Sequence, residues 1–404
     1  MSSSTQTGKP SLRVVAIGGG TGLSTLLRGL KRYVAAPAAA RHTTEAAPRN
    51  AGAPRLDSET WVSTQSQPNR RADPLPADLP CLIRDLAAIV TVTDDGGSSG
   101  RLREELNMLP PGDVRNCMVA LSEDEFLLAR LFQYRFHHGG LEGHSFGNLF
   151  LAALSGITGD FAQAVQMSSQ ILAARGRIYP ATNSNVTLSA RMDDGSLVLG
   201  ETSITASPHR IVELMLSPAG VEPLPATLEA IANADLITLG PGSLYTSLVT
   251  NLLVRGIPEA LAASRATRVY IGNLMTQANE SLGLSASQHI EKILQHCGPN
   301  GANGALNSLD RHSDPEFADG SESRSLSYPK LFDYALINTA PISPTLLEKY
   351  ARGGQAPIAA DLDRIRALGI EPISGDFTLE GSLLRHDPDR LTQALLALAL
   401  NRPA

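Results

Sequence analysis

Three times in this chain a short, apolar, β-branched run stops at glycine and passes directly into a polar stretch bearing hydroxyls, and no other feature of the sequence restricts the fold as much. Residues 12–17 run into Gly18-Gly19-Gly20-Thr21-Gly22, residues 88–93 into Asp94-Asp95-Gly96-Gly97-Ser98-Ser99-Gly100-Arg101, and residues 235–239 into Gly240-Pro241-Gly242-Ser243. Short runs without polar alternation suit strands buried on both faces of a parallel sheet. In open α/β sheets ligands bind beyond the carboxyl ends of the strands. The expected fold class is therefore α/β: Rossmann-like and doubly wound, with a mostly parallel sheet. A fourth strand, 269–273, exits into residues 274–277, where the amides of Asn273 and Gln277 could read a base or a sugar.

Each junction carries ligand chemistry. Strand, glycine turn and helix form the phosphate-binding opening of a doubly wound fold, so Gly18, Gly19, Gly20, Thr21 and Gly22 would present backbone N–H groups to an anion at the start of a helix over 23–30. The run departs from the dinucleotide fingerprint, because counting from Gly18 the sixth position is Leu23, and no Gly-Lys-Ser/Thr closes a P-loop. A tight turn that merely needs positive φ would leave the same trace. At the second junction Thr93, Asp94, Gly96, Gly97 and Ser98 combine carboxylate, hydroxyl and exposed backbone, with glycines letting N–H groups approach a ligand. Successive residues of an extended chain point to opposite faces. Asp94 and Asp95 thus share one site only if the chain has begun to turn, and one of them is the better candidate for a metal or catalytic role. A polar loop that caps the strand reads equally well. At the third junction Gly240, Gly242 and Ser243 precede Thr246, a hydroxyl at the start of the next helix. His144 lies in a glycine-flanked loop entering a helix, where it could meet a ligand oxygen or serve as a cap.

Composition removes several function classes. A net charge of −6 leaves no basic excess for nucleic acid, and no apolar run approaches the ~20 residues that cross a bilayer. Residues 1–10 lack the apolar core of a signal peptide. Cys81, Cys117 and Cys297 are odd in number and far apart, against a disulfide framework or zinc knuckle and for buried thiols. A cytoplasmic protein with no nucleic-acid partner and no membrane span is expected. Residues 34–79 and 299–327 lack periodicity and read as a disordered insertion and a loop insertion within one domain spanning 11–404. Helices are expected at 114–121 with Asp113 as N-cap, and at 123–136, 146–154, 161–174, 226–234, 344–350, 362–368 and 387–400. Asp193-Asp194-Gly195, between 185–191 and 196–200, signals a hairpin and a small antiparallel addition reaching 211–216.

Taken in order, the motifs at 16–22 (AIGGGTG), 93–103 (TDDGGSSGRLR), 112–116 (GDVRN), 144–148 (HSFGN), 240–247 (GPGSLYTS) and 273–277 (NLMTQ) resemble the gluconeogenesis factor family (YvcK-like). That family is similar to the 2-phospho-L-lactate transferases (CofD), which build a deazaflavin coenzyme. The resemblance covers nearly the whole chain outside the two insertions, and it adds Arg101, Asn116 and Asn148 to the ligand-binding set. It implies a nucleotide cleft that takes a UDP-sugar such as UDP-N-acetylglucosamine, or a related nucleotide. It also implies a regulator tied to gluconeogenic growth, cell shape and cell-wall precursor control. In the transferases one acid of the pair corresponding to Asp94 and Asp95 holds Mg²⁺. Asp94 is accordingly the metal candidate, and the pair is catalytic only under the alternative reading, a Mg²⁺-dependent phospholactyl transferase. The Gly-Gly-Ser-Ser-Gly-Arg that follows belongs with the regulatory branch. Of Arg101 and Arg103, which diverge on a helix, one is expected to face the ligand and the other a neighbouring loop or a partner. The expected assembly is a homo-oligomer.

Overall fold

The computed structural model describes residues 11–35, 82–123, 127–278, 280–297 and 330–401. The expected insertion at 299–327 and all but the first two residues of that at 34–79 lie outside these, as does Cys81. Val34 itself belongs to the fold: it is buried and bridges Ile83.

Seven strands form one sheet: β1 (Leu12–Gly18), β2 (Ile83–Val90), β3 (Arg177–Pro180), β7 (Leu236–Leu239), β8 (Thr267–Ile271), β9 (Tyr334–Asn338) and β10 (Glu371–Gly375). Their order is β3-β2-β1-β7-β8-β9-β10 and every pairing is parallel. The chain winds outward from β1 through β2 to β3, then returns to the other side of β1 at β7 and winds the opposite way. This is the doubly wound arrangement expected from the strand exits, with its switch point between β1 and β7. Between β3 and β7 the chain inserts the expected antiparallel sheet, β4 (Thr187–Met192), β5 (Leu197–Leu199) and β6 (Ile211–Ser217), in the order β5-β4-β6. A second antiparallel pair, β11 (Thr378–Glu380) with β12 (Leu384–His386), has no counterpart among the sequence expectations.

Burial explains why these segments fold as they do. In β1 all residues but Arg13 are buried, and β2 is buried from Leu86 onward. Helix α1 (Gly20–Lys31) places Leu23, Leu26, Leu27 and Leu30 at the i, i+3, i+4, i+7 spacing of one face, and all four are fully buried. Removing each such side chain from water stabilises the fold by roughly 1.5–3 kcal/mol before the entropy of ordering it is counted. α1 packs on α3 (Gly112–Leu121) and on the C-terminal helix Pro388–Leu400.

Some boundaries differ from the sequence reading. The second strand ends at Val90, so Thr91 to Asp95 already form the exit loop, while its start moves back to Ile83. The helix expected at 123–136 runs Leu127–Gln133, because Phe136 N–H turns to the His144 carbonyl. Asp113 is not the N-cap of α3. That position is Pro111, and the Asp113 carboxylate is directed to a different helix.

Candidate functional site

The carboxyl ends of β1 and β7 lie side by side where the strand order reverses, and a cleft opens there. Gly19, Gly20, Thr21 and Gly22 line one wall; Pro241, Gly242, Ser243 and Ser247 line the facing one. Asn273 to Gln277 from the β8 exit also line it, as do Tyr350 and Gln355, and the β11–β12 hairpin adds Leu384, Arg385 and His386. The cavity is about 270 Å³, near the lower edge of the range usual for ligand clefts. The two walls touch at one point, since a Cβ built on Gly22 would lie 2.3 Å from the Pro241 carbonyl oxygen. Gly20, at φ +62°, has nothing nearer its Cβ direction than Ser247 Oγ at 3.7 Å. Gly18 ends β1 but does not line the cavity.

Side-chain carboxylates already occupy part of each helix start that borders the cleft. Gly20 N–H donates to Asp113 Oδ2 at 2.7 Å. On the other wall Glu280 accepts from Tyr245 N–H at 3.1 Å and from Thr246 Oγ1 at 2.9 Å. Thr246, expected at the ligand, is committed to Glu280 instead. Ser243 Oγ accepts from Gln277 Nε2 at 2.9 Å, so the Ser243 proton stays available to an anion, and Gln277, which also lines the cavity, braces the Ser243 wall. Arg385 is the one charged residue lining the cavity, and it makes no hydrogen bond or ion pair with the described residues. His386 donates from Nε2 to the Gly272 carbonyl at 3.1 Å, and burial pushes its pKa down to about 4. The imidazole is therefore neutral near pH 7 and adds no charge to the cleft.

Through Asp113 the α1 start connects to a group of acids. Asp94 Oδ1 accepts from Gly96 N–H at 2.9 Å, and a Cβ added at Gly112 would come within 2.9 Å of Asp94 Oδ2. Thr93 Oγ1 donates to Glu201 Oε2 at 3.4 Å. Burial pushes Asp113 up to about 6. Burial, reinforced by the charges of Asp94, Asp113, Glu280 and Asp95, pushes Glu201 up to about 9. Asp95 turns away to accept from Thr202 N–H at 2.9 Å and Thr202 Oγ1 at 2.6 Å, holding the start of the helix Glu201–Ala206. The two neighbouring acids thus bond to different partners, in a loop that has already left the strand. Asp94, Asp113 and Glu201 offer hard oxygen donors of the kind Mg²⁺ accepts, but their ligand atoms do not all lie within 4.8 Å of one another, so they form no ready three-ligand site. Among the described residues the group of three whose ligand atoms all lie within 4.8 Å of one another is a different one, Asp193, Asp194 and His209. It could hold an ion, but it is exposed, with Asp193 and Asp194 on the turn between β4 and β5.

Glu201 makes stability depend on pH in a checkable way. Its folded pKa of about 9 lies above the ordinary 4.5, so the folded chain keeps a proton that the unfolded chain releases. Stability then falls as pH rises from about 4.5 toward 9. Without divalent cations, Glu201→Gln should flatten that slope and raise stability at pH 8 by on the order of 1–2 kcal/mol, measured by thermal unfolding across the window. A variant that keeps the wild-type slope would show that Glu201 is ionised in the fold.

The remaining expected residues gather elsewhere. Ser98 Oγ sits between His144 Nδ1 at 3.0 Å and Asn148 Nδ2 at 3.1 Å, all three buried near the start of α2 (Gly97–Leu106). Asn148 Nδ2 donates to Ser98 Oγ, and burial lowers the His144 pKa from its ordinary value. Asn116 Oδ1 accepts from Arg115 at 2.8 Å. Gly96 and Gly97 open α2, and a Cβ at Gly97 would meet nothing. Arg101 reaches the Glu142 carbonyl at 2.7 Å, while Arg103 reaches the Val186 carbonyl and Thr187 Oγ1. Both arginines hold loops, and none of the residues in this group lines the cleft.

Sequence reasoning missed Tyr350, Arg385 and His386 in the cleft lining, and it missed the acids Asp113, Glu201 and Glu280, which do not line the cleft but bond to Gly20, Thr93 and Tyr245. Only Asp113 carried a signal, its place in a turn before a helix, and that signal pointed to the wrong helix.

The comparisons agree with this geometry. The model of the family described as 2-phospho-L-lactate transferase CofD matches residues 14–378. A gluconeogenesis factor from Halalkalibacterium halodurans is 40% identical over 385 residues, covering 95% of this chain and 95% of that one. The gluconeogenesis factor of Bacillus subtilis is 37% identical over 388 residues, 96% of this chain and 98% of that one. A crystal structure of a Bacillus halodurans member of the UPF0052 family superposes with a TM-score of 0.74 at 40% identity, covering 96% of this chain and 99% of that one. With the doubly wound fold, the glycine cleft and these matches together, the chain belongs to the gluconeogenesis factor family, related to the transferase CofD.

Proposed function

We propose that the protein binds a nucleotide sugar, a UDP-sugar in particular, with the diphosphate lying between Gly19–Gly22 and Pro241–Ser243, and that it acts as a cytoplasmic regulator of cell shape and wall homeostasis during gluconeogenic growth. The observation that carries the reading is the cleft itself. Two glycine-lined strand exits face each other at the switch point of a doubly wound sheet, and the charged residue in the lining, Arg385, has a side chain with no partner among the described residues. Backbone N–H groups, the Ser243 hydroxyl and a guanidinium together suit a diphosphate. No helix among the described residues is long and apolar enough to cross a membrane.

A second reading, a Mg²⁺-dependent phospholactyl transferase, draws on the presence of the acids Asp94, Asp113 and Glu201, which supply hard oxygen donors without forming a ready three-ligand site. Mg²⁺ would supply charge neutralisation for a transferring phosphoryl group. A thermal-shift series with UDP-N-acetylglucosamine, UDP, UMP and GDP, each with and without Mg²⁺, tests both. A ligand at 100 times its dissociation constant adds about 2.7 kcal/mol, so the UDP-sugar should give the largest shift. No shift with any uridine nucleotide would overturn the first reading, and transfer of phospholactate from a nucleotide donor to a deazaflavin acceptor would establish the second.

A further inference from the structure

Asn251 is fully buried and 233 residues from Gly18 in sequence, yet its side chain joins the two cleft walls. Its Nδ2 donates to the Gly18 carbonyl at 3.1 Å and to the Ser247 carbonyl at 2.7 Å. Both partners are carbonyls, which can only accept, so the amide orientation is fixed and Oδ1 is left buried without a partner. Gly18 is the last residue of β1, immediately before the glycine turn, and its carbonyl also receives Thr91 N–H from the β2 exit at 3.0 Å. Ser247 lies in a π-helical turn, Leu244–Val249, where Leu248 N–H reaches back five residues to Ser243. Side chains brace this turn: Thr250 Oγ1 donates to the Tyr245 carbonyl at 2.9 Å, beside the Thr250 N–H that also reaches it, and Asn251 Nδ2 donates to that of Ser247. The Ser247 hydroxyl in turn stands opposite Gly20 across the cleft.

We propose that Asn251 is a positioning residue that sets the separation between the α1 glycine turn and the Ser243–Ser247 wall, and so gives the cleft its selectivity for a diphosphate. This rests on the diphosphate reading above and adds the residue that holds its two halves in register. An amide serves where a carboxylate would repel both carbonyls and an aliphatic chain would take a donor away from each. The ligand touches the turn and the serines, and Asn251 acts through them.

The test is calorimetric titration of the full chain with UDP and with uridine, comparing wild type, Asn251→Ala, Asn251→Ser and Thr250→Val. Thr250 braces the same π turn and is also buried, but does not bond to the glycine turn. The preference for UDP over uridine should fall by about tenfold or more, near 1.4 kcal/mol, in both Asn251 variants, with uridine affinity unchanged. Thr250→Val should lower the melting temperature and keep the preference. Asn251 variants that retain the wild-type preference overturn the proposal. So does loss of preference in Thr250→Val, or failure of both Asn251 variants to fold while Thr250→Val folds, since each marks a purely structural role. A wild type without any preference for UDP over uridine is a separate result, and removes the diphosphate reading itself.

Discussion

A single methyl group added at Gly22 is expected to destabilise the fold by about 2–4 kcal/mol and to abolish nucleotide binding with it. The new Cβ would lie 2.3 Å from the Pro241 carbonyl oxygen and 2.7 Å from its carbon. Both are backbone atoms, so no flexible side chain can yield, and α1 would have to separate from the β7 exit at the seam of the sheet. Gly20→Ala offers the contrast. Its Cβ enters open space beside Ser247, and the penalty is the positive φ alone, about 1–2 kcal/mol. That variant should remain folded with a modestly lower melting temperature yet lose UDP-sugar affinity, because its methyl stands where phosphate must approach the backbone. Melting curves with calorimetry on the two variants separate the roles. A Gly22→Ala protein that melts with the wild type would mean that the two exits do not touch in solution.

For binding alone, the largest loss is expected at Arg385. A charge-assisted hydrogen bond contributes about 1.5–3 kcal/mol, so Arg385→Ala should weaken UDP-sugar binding by roughly tenfold to a hundredfold. Stability should hardly change, because the side chain is exposed and has no partner among the described residues. Arg385→Lys keeps the charge but loses the planar two-point fork, and should fall between. The loss should shrink for uridine, which carries no phosphate, and wild-type affinity should decline with added salt. Equal affinity of Arg385→Ala and wild type for a UDP-sugar would place the phosphates somewhere other than this cleft.

What the sequence by itself determined was local. The buried strands, the glycine exits, the leucine face of α1 and the hairpin at Asp193-Asp194-Gly195 all follow from burial periodicity and backbone geometry within a few residues. From the recurrence of three glycine exits the doubly wound sheet and the walls of the cleft could be read. Tertiary structure decided which polar groups meet. Asp113 serves Gly20, 93 residues away, and Asn251 serves Gly18, 233 residues away. Thr246, Gln277, Ser98 and Asn148, which carry the same donors and acceptors that a ligand would use, are instead engaged by other side chains of the protein. Arg385 reaches the cleft because a short hairpin beyond β10 carries it there. A hydrophobic pattern declares its own periodicity along the chain, whereas a hydroxyl or carboxylate looks the same in sequence whether its partner is a ligand or a distant carbonyl. Only the order of the strands brings one of those partners within hydrogen-bond reach.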